Sequence, residues 1–253
     1  MKGVILAGGL GTRLLPMTRI TNKHLLPVYD RPMIYYPLQQ LAYAGIEDVL
    51  IVTGGGSAGD FLRLLRNGRE FGLRDLRYAY QEEEGGIAQA LGLARHFAAG
   101  EPLAVVLGDN IFQHPIRNAV EAFREKPDGA MVLLKQVPDP ERFGVARMED
   151  ERIVEIIEKP SVPSGELAVT GCYFYDPSVF DIISGLEPSK RGELEITDVN
   201  NAYLKRGALS HHMVDGWWTD AGTVESLFRA STLVAQEENN PVLSGSPLSA
   251  SDG

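Results

Sequence analysis

Two cations stand close behind a glycine-rich turn. Gly8-Gly9-Leu10-Gly11-Thr12-Arg13-Leu14 follows a short apolar run at 3–7, and Lys23 comes soon after, just ahead of Leu25-Leu26-Pro27-Val28. A buried strand that passes Leu6 and breaks into glycines offers backbone N–H groups with no side chains in the way, a cradle for phosphate oxygens. Arg13 adds a planar, fork-shaped cation and Lys23 a point charge at the same end of the strand. Together these residues point to a bound nucleoside triphosphate. Two better-known phosphate loops do not fit. A Walker A loop needs Gly-Lys, and no lysine here follows a glycine; the dinucleotide pattern fails because Leu14 stands where its third glycine belongs.

Carboxylates supply the second ingredient. Asp109 ends the run 103–108, and ligands of open α/β sheets gather outside the carboxyl ends of strands. There it could hold Mg²⁺ against phosphates or cap the turn it begins with Asn110. Asp220, in Trp217-Trp218-Thr219-Asp220-Ala221-Gly222-Thr223, lies in a glycine-containing turn just before a helix and reads by itself as a helix N-terminal cap. Gln81 follows another strand, and Gly85-Gly86 comes shortly after. An amide pairs with a base through one donor and one acceptor, and glycine admits a flat ring. Surface exposure is the plainer reading of Gln81, and Glu82-Glu83-Glu84 reads as a solvated face. Glu158-Lys159 reads by itself as a strand end with a surface ion pair.

The elements that must position these groups alternate at βαβ spacing. Strands are expected at 3–7, 49–53, 76–80, 103–107 and 131–135. Helices are expected at 32–44, 60–65, 87–98 and 116–123. This half reads as a doubly wound, mostly parallel sheet with helices on both faces. Beyond it come a hairpin at 144–148 and 153–157, strands at 168–175 and 209–214, and helices at 178–183, 196–205 and 224–235. The tail from 239 is rich in Asn, Pro, Ser and Gly and reads as disordered.

The length suits one large domain or one and a half, and the order of elements reads as a single α/β domain over 1–238. The 253 residues are 44% hydrophobic and 23% charged, with a net charge of −10 that argues against a nucleic-acid surface. The single cysteine, Cys172, excludes an internal disulfide and a multi-cysteine zinc site. No apolar run approaches the about 20 residues of a membrane span, and the chain opens directly on a strand, so a cytoplasmic protein is expected.

The loop 8–14, the Lys23–Val28 segment and the continuation Tyr29-Asp30-Arg31-Pro32-Met33-Ile34-Tyr35-Tyr36-Pro37-Leu38 resemble the sugar-1-phosphate nucleotidylyltransferases. The likeness recurs up to about residue 233 and is nearest to the members that use dTTP and glucose 1-phosphate. It implies a Rossmann-like nucleotide-diphospho-sugar transferase fold, with 1–136 mainly nucleotide-binding and 137–223 mainly sugar-binding. It implies Mg²⁺-dependent transfer that yields dTDP-glucose and pyrophosphate for deoxysugar synthesis, such as that of dTDP-rhamnose. Carried residue by residue, it assigns Asp109 and Asp220 to the metal. It assigns Leu6, Gly8, Gly9, Gly11, Thr12, Arg13, Gln81, Gly86 and Asp109 to the nucleotide. Lys23, Asn110, Gly144, Glu158, Lys159, Val169, Thr170, Gly171, Tyr173 and Arg191 fall to the sugar phosphate. Arg13, Lys23, Asp109, Lys159 and Asp220 form the catalytic set. Glu195 and Asp198, in Arg191-Gly192-Glu193-Leu194-Glu195-Ile196-Thr197-Asp198, also read as helix N-terminal charge.

Two residues depart from the family: His24 replaces a common glutamine and Phe143 a common tyrosine. His24, beside Lys23, is placed to approach the nucleotide. The chain stops soon after the helix at 224–235, whereas longer members continue into helices that build a feedback site. Weaker or differently built feedback control is therefore expected. A homo-oligomer, dimer or tetramer, is implied by the resemblance alone. UTP or another sugar phosphate remains open, because thymine differs from uracil by one methyl group. A binding module that lost the chemistry remains the alternative from another class. The turn Gly55-Gly56-Ser57-Ala58-Gly59 mimics a hydrolase elbow, with His211 or His212 as the base. His96, Cys172, Tyr35, Tyr36, Trp217 and Trp218 read as structural, and His114 lacks the spacing of a zinc protease.

Overall fold

The computed structural model describes residues 1–163, 165–237 and 240–244. They fall into two compact units. The first comprises Lys2–Glu84, Val106–Arg117 and the chain from Asp215 onward; the second comprises Met1, Gly85–Val105 and Asn118–Val214.

In the first unit the strand Lys2–Ala7 pairs in parallel with Asp48–Gly54, which pairs in parallel with Asp75–Gln81. Val4, Ile5 and Ala7 are fully buried, as a run of apolar residues with covered faces requires. The helix expected at 32–44 is shorter, Tyr35–Tyr43. Arg31–Pro32 instead forms a two-residue antiparallel ribbon with Pro27–Val28. A second ribbon, Asn110–Phe112 with Trp218–Asp220, is too short to leave a periodic signal in the sequence.

The helix Val224–Ala235 has the expected bounds, and its cap is Thr223: Ser226 N–H donates to Thr223 Oγ1 at 3.1 Å, and Thr223 N–H donates to Ser226 Oγ at 3.0 Å. Part of the tail expected to be disordered is a helical turn, Pro241–Ser244. Val242 and Leu243 are buried, Leu243 in a cluster with Val28, Met33, Tyr36 and Ile111. Asn240 Nδ2 also donates to the Gln113 carbonyl at 2.7 Å. Two apolar side chains in a polar stretch are enough to seat it. Residues 239 and 245–253 of that segment lie outside the described residues.

The second unit is largely antiparallel. The hairpin Gly144–Glu149 and Arg152–Glu158 forms as expected. Gly144–Glu149 also pairs with Leu167–Tyr175, which pairs with Ala130–Gln136. Leu209–Met213 joins Ala130–Gln136 in parallel. The expected helix 87–98 is two pieces, Ile87–Gly92 and Arg95–Ala98, broken after Gly92. Ile196–Lys205 is a helix with the expected bounds. Its Tyr203 ring stacks on Tyr175 at 5.8 Å, and Tyr175 stacks on Tyr173 at 6.1 Å. The fold class is thus the expected mixed α/β sheet with helices. Among the described residues, no helix is long and apolar enough to cross a membrane.

Candidate active site

The first unit brings four of the expected residues together. Asp220 pairs with Asn110 across the short ribbon, and Ala221 N–H donates to the Asp109 carbonyl at 2.8 Å. That register holds the two aspartates at one end of the ribbon. A Cβ placed on Gly222 would lie 3.1 Å from Asp220 Oδ2, 3.3 Å from Asp109 Oδ2 and 3.3 Å from Arg13 Nη2. Two carboxylates and a guanidinium therefore converge on one glycine. Lys23 Nζ donates to Asp109 Oδ2 at 2.5 Å, with both side chains largely buried.

Burial alone would raise the Asp109 carboxyl. The Lys23 ammonium and hydrogen bonds from Lys23 and Asn110 outweigh it and hold the group well below the usual carboxylate range. Asn110, expected among the sugar-phosphate contacts, sits with this pair. Its Nδ2 donates to Asp109 Oδ1 at 3.0 Å, and its Oδ1 accepts from the Trp218 indole at 2.8 Å.

Gln81 is buried over the glycine loop. A Cβ on Gly8 would come within 2.4 Å of Gln81 Oε1, so only glycine lets that amide lie there. Gly9, Gly11 and Thr12 continue the loop, and Leu14 N–H closes it by donating to the Gly11 carbonyl at 2.9 Å. Glu84 is not merely solvated: its Oε1 accepts from the Leu10 N–H at 2.6 Å. The loop amide meant for an anion thus already holds a carboxylate.

His24 is corrected from a nucleotide neighbour to a buried support. It is 2% exposed and bonded to Asn22: its N–H donates to Asn22 Oδ1 at 3.0 Å, and its ring Nδ1 lies 2.7 Å from the same oxygen. Asn22 Nδ2 donates to the Ala7 carbonyl at 3.3 Å, which leaves Oδ1 as the acceptor and assigns the imidazole proton to Nδ1. Burial and the adjacent Lys23 push its pKa down to about 3, so the ring is neutral at pH 7.

The second unit gathers the remaining set. Gly144 pairs with Glu158 on one side and Val169 on the other, so the three lie in one row across the strands. Lys159, held at φ 42°, donates its backbone N–H to the Phe143 carbonyl at 3.0 Å. Lys159 Nζ lies 3.5 Å from Glu158 Oε1, and Arg191 Nη2 lies 3.9 Å from that oxygen. Thr170 and Gly171 fall where the strand register shifts, between Val169 and Tyr173. Tyr173 is 4% exposed in the row of stacked rings. Gly86 opens a helix at φ 96°, and a Cβ there would meet the Leu194 carbonyl oxygen at 2.6 Å. Packing therefore demands glycine at 86 before any ring is considered.

Two members of this cluster escape a reading by motif. Thr197 Oγ1 donates to Glu158 Oε2 at 2.6 Å, and Glu195 grips Arg191. Glu195, the N-cap of Ile196–Lys205, offered no cue beyond N-terminal charge, and Thr197 offered none. Tyr36 is fully buried with its hydroxyl on the Val28 carbonyl, and Tyr35 packs edge-on against Phe71, as expected of structural rings.

For a metal, the donor set is two carboxylates. Among the described residues no group of three or more His, Cys, Asp or Glu could hold an ion. Two aspartates with no histidine or thiol suit a hard ion that keeps water and phosphate oxygens as its other ligands, which describes Mg²⁺.

The nucleotidyl transferase family model matches residues 2–237. A glucose-1-phosphate thymidylyltransferase of Neisseria meningitidis serogroup A is 46% identical over 94% of this chain and 84% of its own length. A solved structure from Bacillus anthracis, a candidate glucose-1-phosphate thymidylyltransferase in complex with sucrose, superposes with a TM-score of 0.88. It is 54% identical and covers 92% of this chain and 94% of its own. UDP-glucose pyrophosphorylase with bound UDP-glucose gives a TM-score of 0.83 at 27% identity, covering 93% of this chain and 98% of its own.

Proposed function

The chain belongs to the nucleotidyl transferase family, and from that premise we propose that it is a glucose-1-phosphate thymidylyltransferase. It would join dTTP and glucose 1-phosphate into dTDP-glucose and release pyrophosphate. The observation that carries the reading is the convergence of Asp109, Asp220 and Arg13 on Gly222, with Lys23 on Asp109.

A phosphate oxygen of glucose 1-phosphate attacks the α-phosphorus of dTTP in line. The new P–O bond forms as the bond to the β-phosphate oxygen breaks, and that electron pair leaves with pyrophosphate. The attacking oxygen is already ionised at neutral pH, so no base is needed. The protein's work is to neutralise charge and align two anions.

In the first unit, Arg13 and the glycine-loop N–H groups other than that of Leu10 would hold the triphosphate, and Arg13 would steady the departing pyrophosphate. Gln81 would read the thymine edge. Asp109 and Asp220 would hold Mg²⁺, which when bound supplies charge neutralisation at the phosphates. Lys23 keeps Asp109 ionised and would neutralise phosphate. In the second unit, Lys159 and Arg191 would take the sugar phosphate. Glu158 and the backbone at Gly144, Val169 and Gly171 would meet the glucose hydroxyls, beside Thr170 and Tyr173.

The relatives favour dTTP: thymidylyl enzymes match at 46% identity, the uridylyl enzyme at 27%. We assign the product to deoxysugar synthesis of the dTDP-rhamnose type, in the cytoplasm where nucleoside triphosphates are found, by a homo-oligomer. The presence of Arg13, Lys23, Asp109, Lys159 and Asp220 weighs against a module that has lost the chemistry.

Pyrophosphate release with glucose 1-phosphate and Mg²⁺, compared across dTTP, UTP, CTP, ATP and GTP, tests the reading. Release that is fastest with dTTP and depends on the sugar phosphate is expected. Release only with another nucleotide overturns the substrate, and release with none overturns the activity.

A further inference from the structure

Arg191 sits on a short loop, and its side chain is 46% exposed. A long, exposed arginine would ordinarily sample many rotamers. This one does not project freely. Its Nε donates to Glu195 Oε1 at 2.9 Å, and its Nη2 reaches Glu195 Oε1 and Oε2, each at 2.8 Å. One whole edge of the guanidinium is committed to one carboxylate. Nη1 makes no hydrogen bond among the described residues, so the Nη1 end of the fork is the edge left to present.

The carboxylate that grips it is itself fixed. The Glu195 side chain is 9% exposed and accepts a hydrogen bond from Ser189 Oγ at 2.9 Å. Ser189 Oγ in turn accepts from the Arg191 N–H at 3.2 Å. The loop closes on itself through Ser189 N–H to the Glu193 carbonyl and Gly192 N–H to the Ser189 carbonyl, both 2.8 Å, with Gly192 at φ 77°. Leu194 is tied by its N–H to the Gly85 carbonyl at 2.8 Å, and its own carbonyl accepts from Ala88 N–H at 3.0 Å. Glu195 then enters the helix Ile196–Lys205 as its N-cap. Backbone on both sides of Glu195 is therefore pinned.

We propose that Glu195 is a positioning residue that aims the free edge of Arg191 at the phosphate of the acceptor sugar. The proposal rests on the reading that the second unit takes the sugar phosphate. A planar fork matched on one edge to a carboxylate keeps its other edge in a set plane for a phosphate oxygen. Lysine at 191 could not play this part, because a point charge has no second edge.

The test is a kinetic double-mutant cycle in the full-length protein. Glu195→Ala raises KM for glucose 1-phosphate about tenfold, the scale of one charge-assisted bond, and leaves KM for dTTP unchanged. Glu195→Gln, which keeps an acceptor for Ser189 and one for the guanidinium, restores part of the loss. Ser189→Ala shifts KM in the same direction by less and guards against a Glu195 variant that folds poorly. In an Arg191→Ala background, Glu195→Ala adds nothing, since its whole effect passes through Arg191. An undiminished effect of Glu195→Ala in that background overturns the proposal. So does an equal rise in KM for both substrates, or a lower KM for glucose 1-phosphate, which would make Glu195 a competitor of the phosphate. If Arg191→Ala alone leaves KM for glucose 1-phosphate unchanged, the underlying placement of the sugar phosphate fails instead.

Discussion

Lys23 and Arg191 are both cations held by a carboxylate, yet they are built for different work. Lys23 is 14% exposed against an Asp109 that is 11% exposed. Arg191 is 46% exposed against a Glu195 that is 9% exposed. In the first unit, strand register and a glycine bring Asp109, Asp220 and Arg13 to one place, and backbone geometry does the aiming. In the second, Lys159 and Arg191 reach outward and side-chain partners do the aiming. The first arrangement suits charges that must not move while phosphorus changes partners. The second suits capture of a substrate that must arrive and leave. Loss of a group from the first cluster should therefore depress turnover, and loss from the second should weaken acceptor binding.

The largest effect is expected from the aspartates. Asp109→Asn or Asp220→Asn should lower kcat by about 10²–10³-fold, the scale of losing one preorganised electrostatic contact. Steady-state rates over a Mg²⁺ series check this, and a change confined to KM would erase the contrast between the units.

Next comes Lys23→Met, which strands a buried carboxylate. A cost of about 3 kcal/mol is expected at pH 7, as for a buried pair that loses one partner. With Lys23 present, the folded Asp109 carboxyl lies below its unfolded value of 3.8, so the pair stabilises above that pH and is lost as pH falls through the lower folded value. Without the ammonium, burial raises the Asp109 carboxyl instead, so protonation relieves the stranded charge and the deficit of the variant should shrink between pH 7 and pH 4, which urea titrations at the two pH values will show.

His24 gives a smaller signature of the same sign. Its folded pKa of about 3 lies below the ordinary 6.5, so the unfolded chain binds the extra proton and stability falls as pH drops through that window. At pH 5 the loss is about 2 kcal/mol. His24→Gln should flatten this acid limb, measured as unfolding midpoints at pH 7 and pH 5. Lys159→Ala should raise KM for glucose 1-phosphate about tenfold, on the scale of one bond to a charged group, with little change in melting temperature.

The first unit was the more legible of the two in the sequence. A strand ending in glycines, Arg13, Lys23 and the strand-terminal Asp109 carry local signals, and each lies where chain order implies. Asp220 was legible only through resemblance, because the three-residue ribbon that brings it beside Asn110 is below the length at which alternation can be seen. The same limit hid the break after Gly92 and the seating of Val242 and Leu243. His24 was misplaced because a histidine beside a lysine looks the same in sequence whether it faces solvent or the core. In the second unit, Glu195 looked like ordinary helix N-terminal charge, and no local signal marked Thr197. Their partners, Arg191 and Glu158, come together through a loop and a hairpin that local periodicity cannot join.

The most direct test of this division of labour is product formation by Asp109→Asn and Arg191→Ala as glucose 1-phosphate is raised to saturation at fixed Mg²⁺ and dTTP. The account predicts that Arg191→Ala climbs back toward the wild-type rate while Asp109→Asn stays slow at every concentration. Rescue of Asp109→Asn by the sugar phosphate, or a ceiling on Arg191→Ala that no concentration lifts, would contradict it.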